Sequence, residues 1–189
     1  VIGVSLLIAC GGTSSSGGMQ VYEDPFQDLT TESSAVINAG GVAAVGQGTS
    51  ARQDLAKKKA ETDARGGLAQ VFNTKVQRMN KAFQEEIGSA DDSEINEAFT
   101  SVTKELTSRV LKGAVVKRVK YYKNESGQFT AGALVAIEPN KVNLSVLDEL
   151  QNKNKKLYER FRASQAYEEL QNEMQDYEKQ QNKIGRAHV

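Results

Sequence analysis

Between residues 51 and 87, apolar or small side chains return mostly every four or five positions: Ala51, Leu55, Ala60, Ala64, Leu68, Phe72, Met79, Phe83 and Ile87. That spacing puts them on one face of a single long helix. Ala60, Ala64 and Gly67 form a stripe of small residues within that face, so the helix is expected to lie close against a sheet. Thr49 or Ser50 can cap its start. Gly66-Gly67 is a candidate kink, since each Gly costs about 1 kcal/mol relative to Ala inside a helix. The run Gly88–Asp92 ends it.

The rest of the chain supplies that sheet. Ala39–Gly46 is a short apolar run bounded by glycines and reads as a strand. Asp91-Asp-Ser-Glu94 offers a D-x-x-E cap for a second helix, whose face is Ile95, Phe99, Val102, Leu106 and Val110, with Gly113 as its stop. Ala114–Tyr122 and Phe129–Glu138 are β-rich and flank a turn, Asn124–Gly127. On the second of these strands Phe129, Ala131, Ala133, Val135 and Ile137 share a face. On the first, Lys117 and Arg118 interrupt the alternation. Pro139 ends the sheet. From Leu144 to about Asn182 a helical pattern runs through Leu147, Leu150, Leu157, Phe161, Tyr167, Leu170, Met174 and Tyr177. The predicted order is β-α-α-β-β-α. It gives an α+β domain: a small antiparallel sheet of about three strands covered by helices, with a long C-terminal helix.

The two ends read differently. Val1–Ala9 is apolar and uncharged, far short of the roughly 20 residues a membrane span needs, and reads as the core of a truncated, cleaved signal peptide. Leu7-Ile8-Ala9-Cys10 resembles a bacterial lipobox, in which a small residue precedes a cysteine that is diacylated and becomes residue one. The thiol is the nucleophile that takes the lipid. Two acyl chains hold a protein stably on a bilayer where one is marginal. Residues 10–35 read as the lipidated Cys10 and a Gly/Ser-rich tether, with Tyr22 and Phe26 resting on the domain. No Asp follows Cys10, which favours the outer membrane and a periplasm-facing domain. The domain proper is expected over 36–143. The helix over 144–183 would pack on it with its first part, its end left for solvent or a partner helix. Ile184–Val189 resembles a translated sequencing adapter and is read as an artefact, His188 with it.

These features exclude several classes of function. Lys+Arg and Asp+Glu both number 24, so no basic field grips nucleic-acid phosphates. A single Cys rules out an intrachain disulfide or a multi-Cys zinc site. With His188 set aside and Cys10 acylated, Ser–His and Cys–His catalysis have no components. Asp91/Asp92 and Glu85/Glu86 read as caps and solvated charges. Lys57–Lys59 and Lys153–Lys156 read as solvated faces. Gly46-Gln-Gly48-Thr-Ser-Ala51 matches G-x-G-x-x-A, but no strand near residue 70 completes a nucleotide-binding crossover, so it reads as a tight turn with close packing. No catalytic residue, cofactor or metal is expected.

Ala44-Val-Gly-Gln-Gly48, then Ala51-Arg52, then Ala60-Glu-Thr-Asp-Ala-Arg-Gly-Gly-Leu-Ala69 and Val76, resembles the twenty-kilodalton bacterial membrane-associated lipoprotein family. That family's domain also recurs at the N-terminus of a flagellar assembly protein. The similarity covers roughly 40 to 140, and the C-terminal helix is longer than the family's pattern. The resemblance implies a non-enzymatic envelope lipoprotein. The expectation is therefore a module anchored to the membrane by its N-terminal lipid that binds or scaffolds other envelope proteins. The alternative is a periplasmic module that binds a small ligand or peptidoglycan fragment.

Overall fold

A computed structural model describes residues 23–88 and 92–187. The elements are α1 (Gln27–Asn38), β1 (Val42–Ser50), α2 (Gln53–Glu86), α3 (Ser93–Gly113), β2 (Val115–Lys123), β3 (Phe129–Ile137), α4 (Pro139–Lys153), α5 (Lys155–Arg162) and α6 (Gln165–Ala187). The α+β class and the order of the expected elements hold. The three strands form a sheet in the order β1-β3-β2, with both pairings antiparallel. β1 and β2 therefore run parallel on either side of β3, and the α2–α3 hairpin is the crossover between them.

The central strand β3 is buried from Ala131 to Ile137 because helices cover both of its faces. On one face, Val135 and Ile137 meet Val42, Ala44 and the α2 residues Ala64 and Leu68, while Ala131 and Ala133 meet Ala56 and Ala60. On the other, Leu134 and Ala136 join Ala43 beneath Phe26 and Leu29. The alternating face read from the sequence is thus the α2 face.

The close approach expected of α2 takes place at Gly46 and Gly48. A Cβ on Gly48 would stand 2.6 Å from Ala56 O and Ala60 N, and one on Gly46 would strike the backbone of Ala60 and Ala64. Strand and helix touch backbone to backbone, which is the physical meaning of the G-x-G. The helix runs unbroken through Gly66-Gly67. Its start differs from expectation. Arg52 in extended conformation is the N-cap, Ala51 precedes the helix and is exposed, and Ser50 Oγ accepts from Arg52 N at 3.2 Å. Leu55 is 42% exposed, and Ala56 and Val76 take the buried places instead, because the face is set by the two glycines on the strand.

Three further differences have local causes. Residues 27–38 form α1, although 27–35 were expected in the tether. Asp24 Oδ1 accepts from Phe26 N at 2.9 Å and turns the chain onto the sheet, where Phe26 and Leu29 are buried; Tyr22 lies outside the described residues. At α3 the cap is Asp92, whose carboxylate accepts from Glu94 N at 3.0 Å and Ile95 N at 3.3 Å, one position beyond the expected one. The expected single C-terminal helix is three helices. Pro139 both ends the sheet and opens α4. Asn154 Oδ1 accepts from Leu157 N at 3.0 Å to start α5, and Ser164 Oγ accepts from Tyr167 N at 3.2 Å to start α6. Each break bends the chain around the domain. The irregularity of β2 is a bulge between Val116 and Arg118, which makes Lys117 the extra residue. β2 is an exposed edge whose lysines discourage pairing with another chain.

The far end of the core is aromatic. Phe161 stands edge-on to Phe83 at 5.4 Å, to Phe99 at 5.9 Å and to Tyr167 at 6.0 Å. Those contacts join α2, α3, α5 and α6.

Candidate functional site

The expected site residues Leu7, Ile8, Ala9 and Cys10 lie outside the described residues, as does His188. What the structure does describe is where the chain that follows them joins the domain. Phe26, sixteen residues after Cys10, is inserted between α1 and the sheet. Its ring meets Tyr122 edge-on at 5.3 Å, and the Tyr122 hydroxyl donates to Pro25 O at 2.7 Å. The N-terminal half of α1 is tied to the edge strand by charge: Asp28 pairs with Arg118, and with Lys120 at 2.9 Å, while Glu32 pairs with Arg118 at 3.3 Å. The N-terminal segment is therefore held at the β2 edge.

A groove of about 630 Å³ lies between α2 and α6, lined also by Ile37 and Gly41. Its apolar lining includes Val71, Met79 and Leu170. One ion pair crosses it: Lys75 Nζ donates to Glu173 Oε2 at 2.6 Å. The same oxygen accepts from Asn143 Nδ2 at 3.2 Å. Asn143 is fully buried, and its Oδ1 has no partner. Arg78 and Glu169 stand at the rim. Apolar contact and opposed charges in one open groove suit a partner of mixed character. Sequence reading missed this site because its residues come from segments about a hundred positions apart. Leu170 was visible only as part of a helical stripe.

A second polar cluster fastens α6. Burial, and then the Glu138 carboxylate, to which it is also hydrogen-bonded, raise the Tyr177 hydroxyl above its usual pKa. Glu138 also pairs with Lys117 at 3.3 Å, and Asn140 Nδ2 donates to Glu178 at 2.9 Å.

The charged runs have structural partners. Glu86 accepts from Gln165 N at 2.8 Å, satisfying a donor at the start of α6, and Glu85 pairs with Lys81 at 3.6 Å. Lys59 Nζ donates to Thr49 O at 3.0 Å, and Lys57 pairs with Glu61 at 3.7 Å. Lys153 donates to Glu105 at 2.5 Å, and this holds the Glu105 carboxyl below its usual range. Arg65 donates to Leu111 O at 2.7 Å and so satisfies a carbonyl at the end of α3. Among the described residues no group of three or more His, Cys, Asp or Glu side chains could hold a metal ion. No helix there is long and apolar enough to cross a membrane. Comparison with protein-family models, with curated proteins and with solved structures finds no match to the chain.

Proposed function

We propose that this chain is a lipid-anchored protein of the bacterial outer membrane, facing the periplasm, whose folded domain binds neighbouring envelope proteins without itself carrying out chemistry. The observation that carries the reading is Leu7-Ile8-Ala9-Cys10 followed by a Gly/Ser-rich segment. Resemblance to the membrane-associated lipoprotein family over residues 40 to 140 points the same way. At Cys10 the thiolate would attack the glycerol carbon that bears the phosphate of a membrane phospholipid such as phosphatidylglycerol: the C–S thioether forms, the C–O bond to phosphate breaks and the glycerol phosphate headgroup leaves; hydrolysis of the Ala9–Cys10 peptide bond then frees the Cys10 amine.

The groove between α2 and α6 is where this reading places the partner. Its volume of about 630 Å³ also falls within the range of small-molecule sites, which favours the second reading, a module for a small ligand or peptidoglycan fragment. Labelling cells with a palmitate analogue tests the anchor. The native chain should take up label and Cys10→Ser should not. Equal labelling of the two would end the proposal.

A further inference from the structure

Where the C-terminal half of α3 meets α2 lies a shallow concavity of about 670 Å³. Its lining includes Arg65, Lys104 and Lys112 and no acidic side chain. Lys104, Ser108 and Lys112 step by four residues, so they stand in line on one face of α3. Neither lysine has an acid three or four places away on its helix. None of the three cations forms an ion pair among the described residues.

The acids that could neutralise them are committed elsewhere. Glu61, four residues before Arg65, pairs with Lys57 at 3.7 Å, and Asp63 accepts from Gln47 N at 2.9 Å. Glu105 follows Lys104 in the chain but takes Lys153 at 2.5 Å; of the cations that lower its pKa, Lys104 acts least. Glu149 takes Arg109 at 3.3 Å. Arg65 is fixed in place. Its Nη1 donates to Leu111 O at 2.7 Å and to Ala114 O at 3.4 Å, and its Nε and Nη2 have no partner among the described residues. A cation is ordinarily favoured at the C-terminal carbonyls of a helix, but Arg65 already serves those of α3, and Lys104 stands roughly two turns before them.

We infer that this concavity binds a phosphate monoester, carried by a soluble molecule or by a lipid headgroup. A monoester dianion brings three terminal oxygens, enough for the guanidinium and both ammonium groups, and Ser108 Oγ is a further donor. A neutral ligand would leave the three cations repelling one another, and a carboxylate brings only two oxygens and one charge. Leu111, half-buried in the lining, is an apolar rest for the organic body of the ester. Backbone carbonyls hold Arg65 before anything binds, which lowers the cost of ordering. Nucleic acid would call for a track of such cations, and this is a single cluster. The inference goes beyond both readings above. It depends neither on the lipid anchor nor on the α2–α6 groove, so its failure and theirs are separable.

The test is a nitrogen-15 NMR titration of the full chain carrying Cys10→Ser with glycerol 3-phosphate, beside sedimentation with phosphatidylcholine vesicles that contain or lack phosphatidic acid. Saturable shifts of the backbone amide signals of Ser108, Leu111 and Lys112 identify a soluble ester. Sedimentation with the acidic vesicles alone identifies a lipid headgroup, and either result supports the inference. Lys104→Gln and Lys112→Gln alter exposed side chains with no ion pair in the fold, and each should weaken binding about fivefold. Lys156→Gln makes the same change of net charge on α5 and should leave binding unaltered. Three results would overturn the inference: no response to either probe at millimolar phosphate; equal weakening by Lys156→Gln, which would show diffuse attraction; or binding of succinate, a dianion without phosphorus, as tight as that of the ester.

Discussion

The ring of Phe26 lies on the bare α-carbon of Gly132, in the space a side chain there would need: a Cβ on Gly132 would stand 2.5 Å from Phe26 Cε1. Helix α1 is thus seated by the absence of a side chain on the central strand. Gly132→Ala should lift Phe26 and loosen α1, at a cost of about 1–3 kcal/mol from overpacking. Phe26→Ala should cost about 3 kcal/mol or more by leaving a cavity on the sheet. Urea denaturation measures both. Proteolysis should cut near residues 26–38 in either variant before it cuts elsewhere. Wild-type stability in both would remove the seat.

Two glycines of very different surroundings make a second comparison. A Cβ at Gly46 meets the backbone of α2, which cannot give way as a side-chain tip can, whereas a Cβ at Gly66 meets nothing within 4 Å. Gly46→Ala should therefore destabilise by at least about 1–3 kcal/mol. Gly66→Ala, on the exposed side of the same helix, should stabilise by about 0.5–1 kcal/mol. Thermal melts of the two proteins should move in opposite directions.

The ion pair of Lys75 and Glu173 should govern how firmly α6 is held. Glu173→Ala removes the acceptor of both Lys75 and the buried amide of Asn143. The expected loss is about 1–3 kcal/mol, since the largely buried Lys75 ammonium loses its counter-charge and Asn143 Nδ2 keeps only its 3.5 Å bond to Leu170 O. Glu173→Gln keeps an oxygen for one of them and should lose less. Hydrogen exchange should quicken across α6 and at the start of α4 while β3 stays protected. Unchanged exchange in α6 would show that the helix is held by its apolar stripe alone.

Tyr177 supplies a pH dependence whose sign can be worked out. Burial and the Glu138 carboxylate raise its folded pKa above the ordinary value of about 10. The stability it contributes is fully present below the unfolded pKa. It is lost as pH rises through the higher folded value, where the phenolate forms beside a carboxylate. One tyrosine should accordingly titrate late in an ultraviolet absorbance titration, and Tyr177→Phe should remove that component. Disappearance of the late component in native protein, or its persistence in the variant, would refute the assignment.

The repeating apolar positions of α2 and α3, the turn at Asn124–Gly127 and the alternation of β3 were all legible in the sequence. Each depends on contacts or periodicities within a few residues along the chain, as does the small-residue stripe that announced a close helix–sheet contact. The class and the order of the expected elements followed from them. Tertiary structure alone decided that the G-x-G turns its bare backbone to α2, which moved the buried face from Leu55 to Ala56. It also decided that a polar, aperiodic stretch becomes α1, because Phe26 finds Gly132 on a strand more than a hundred residues away. The division of the C-terminal helical tract is of the same kind. Asn154 and Ser164 act as caps where the chain must wrap the domain, and nothing in a helical stripe marks them. The α2–α6 groove belongs with these, since Lys75 and Glu173 meet only after packing. Local periodicity records which face of an element is buried; what that face is buried against depends on side chains far apart in the chain, and only the assembled fold brings them together.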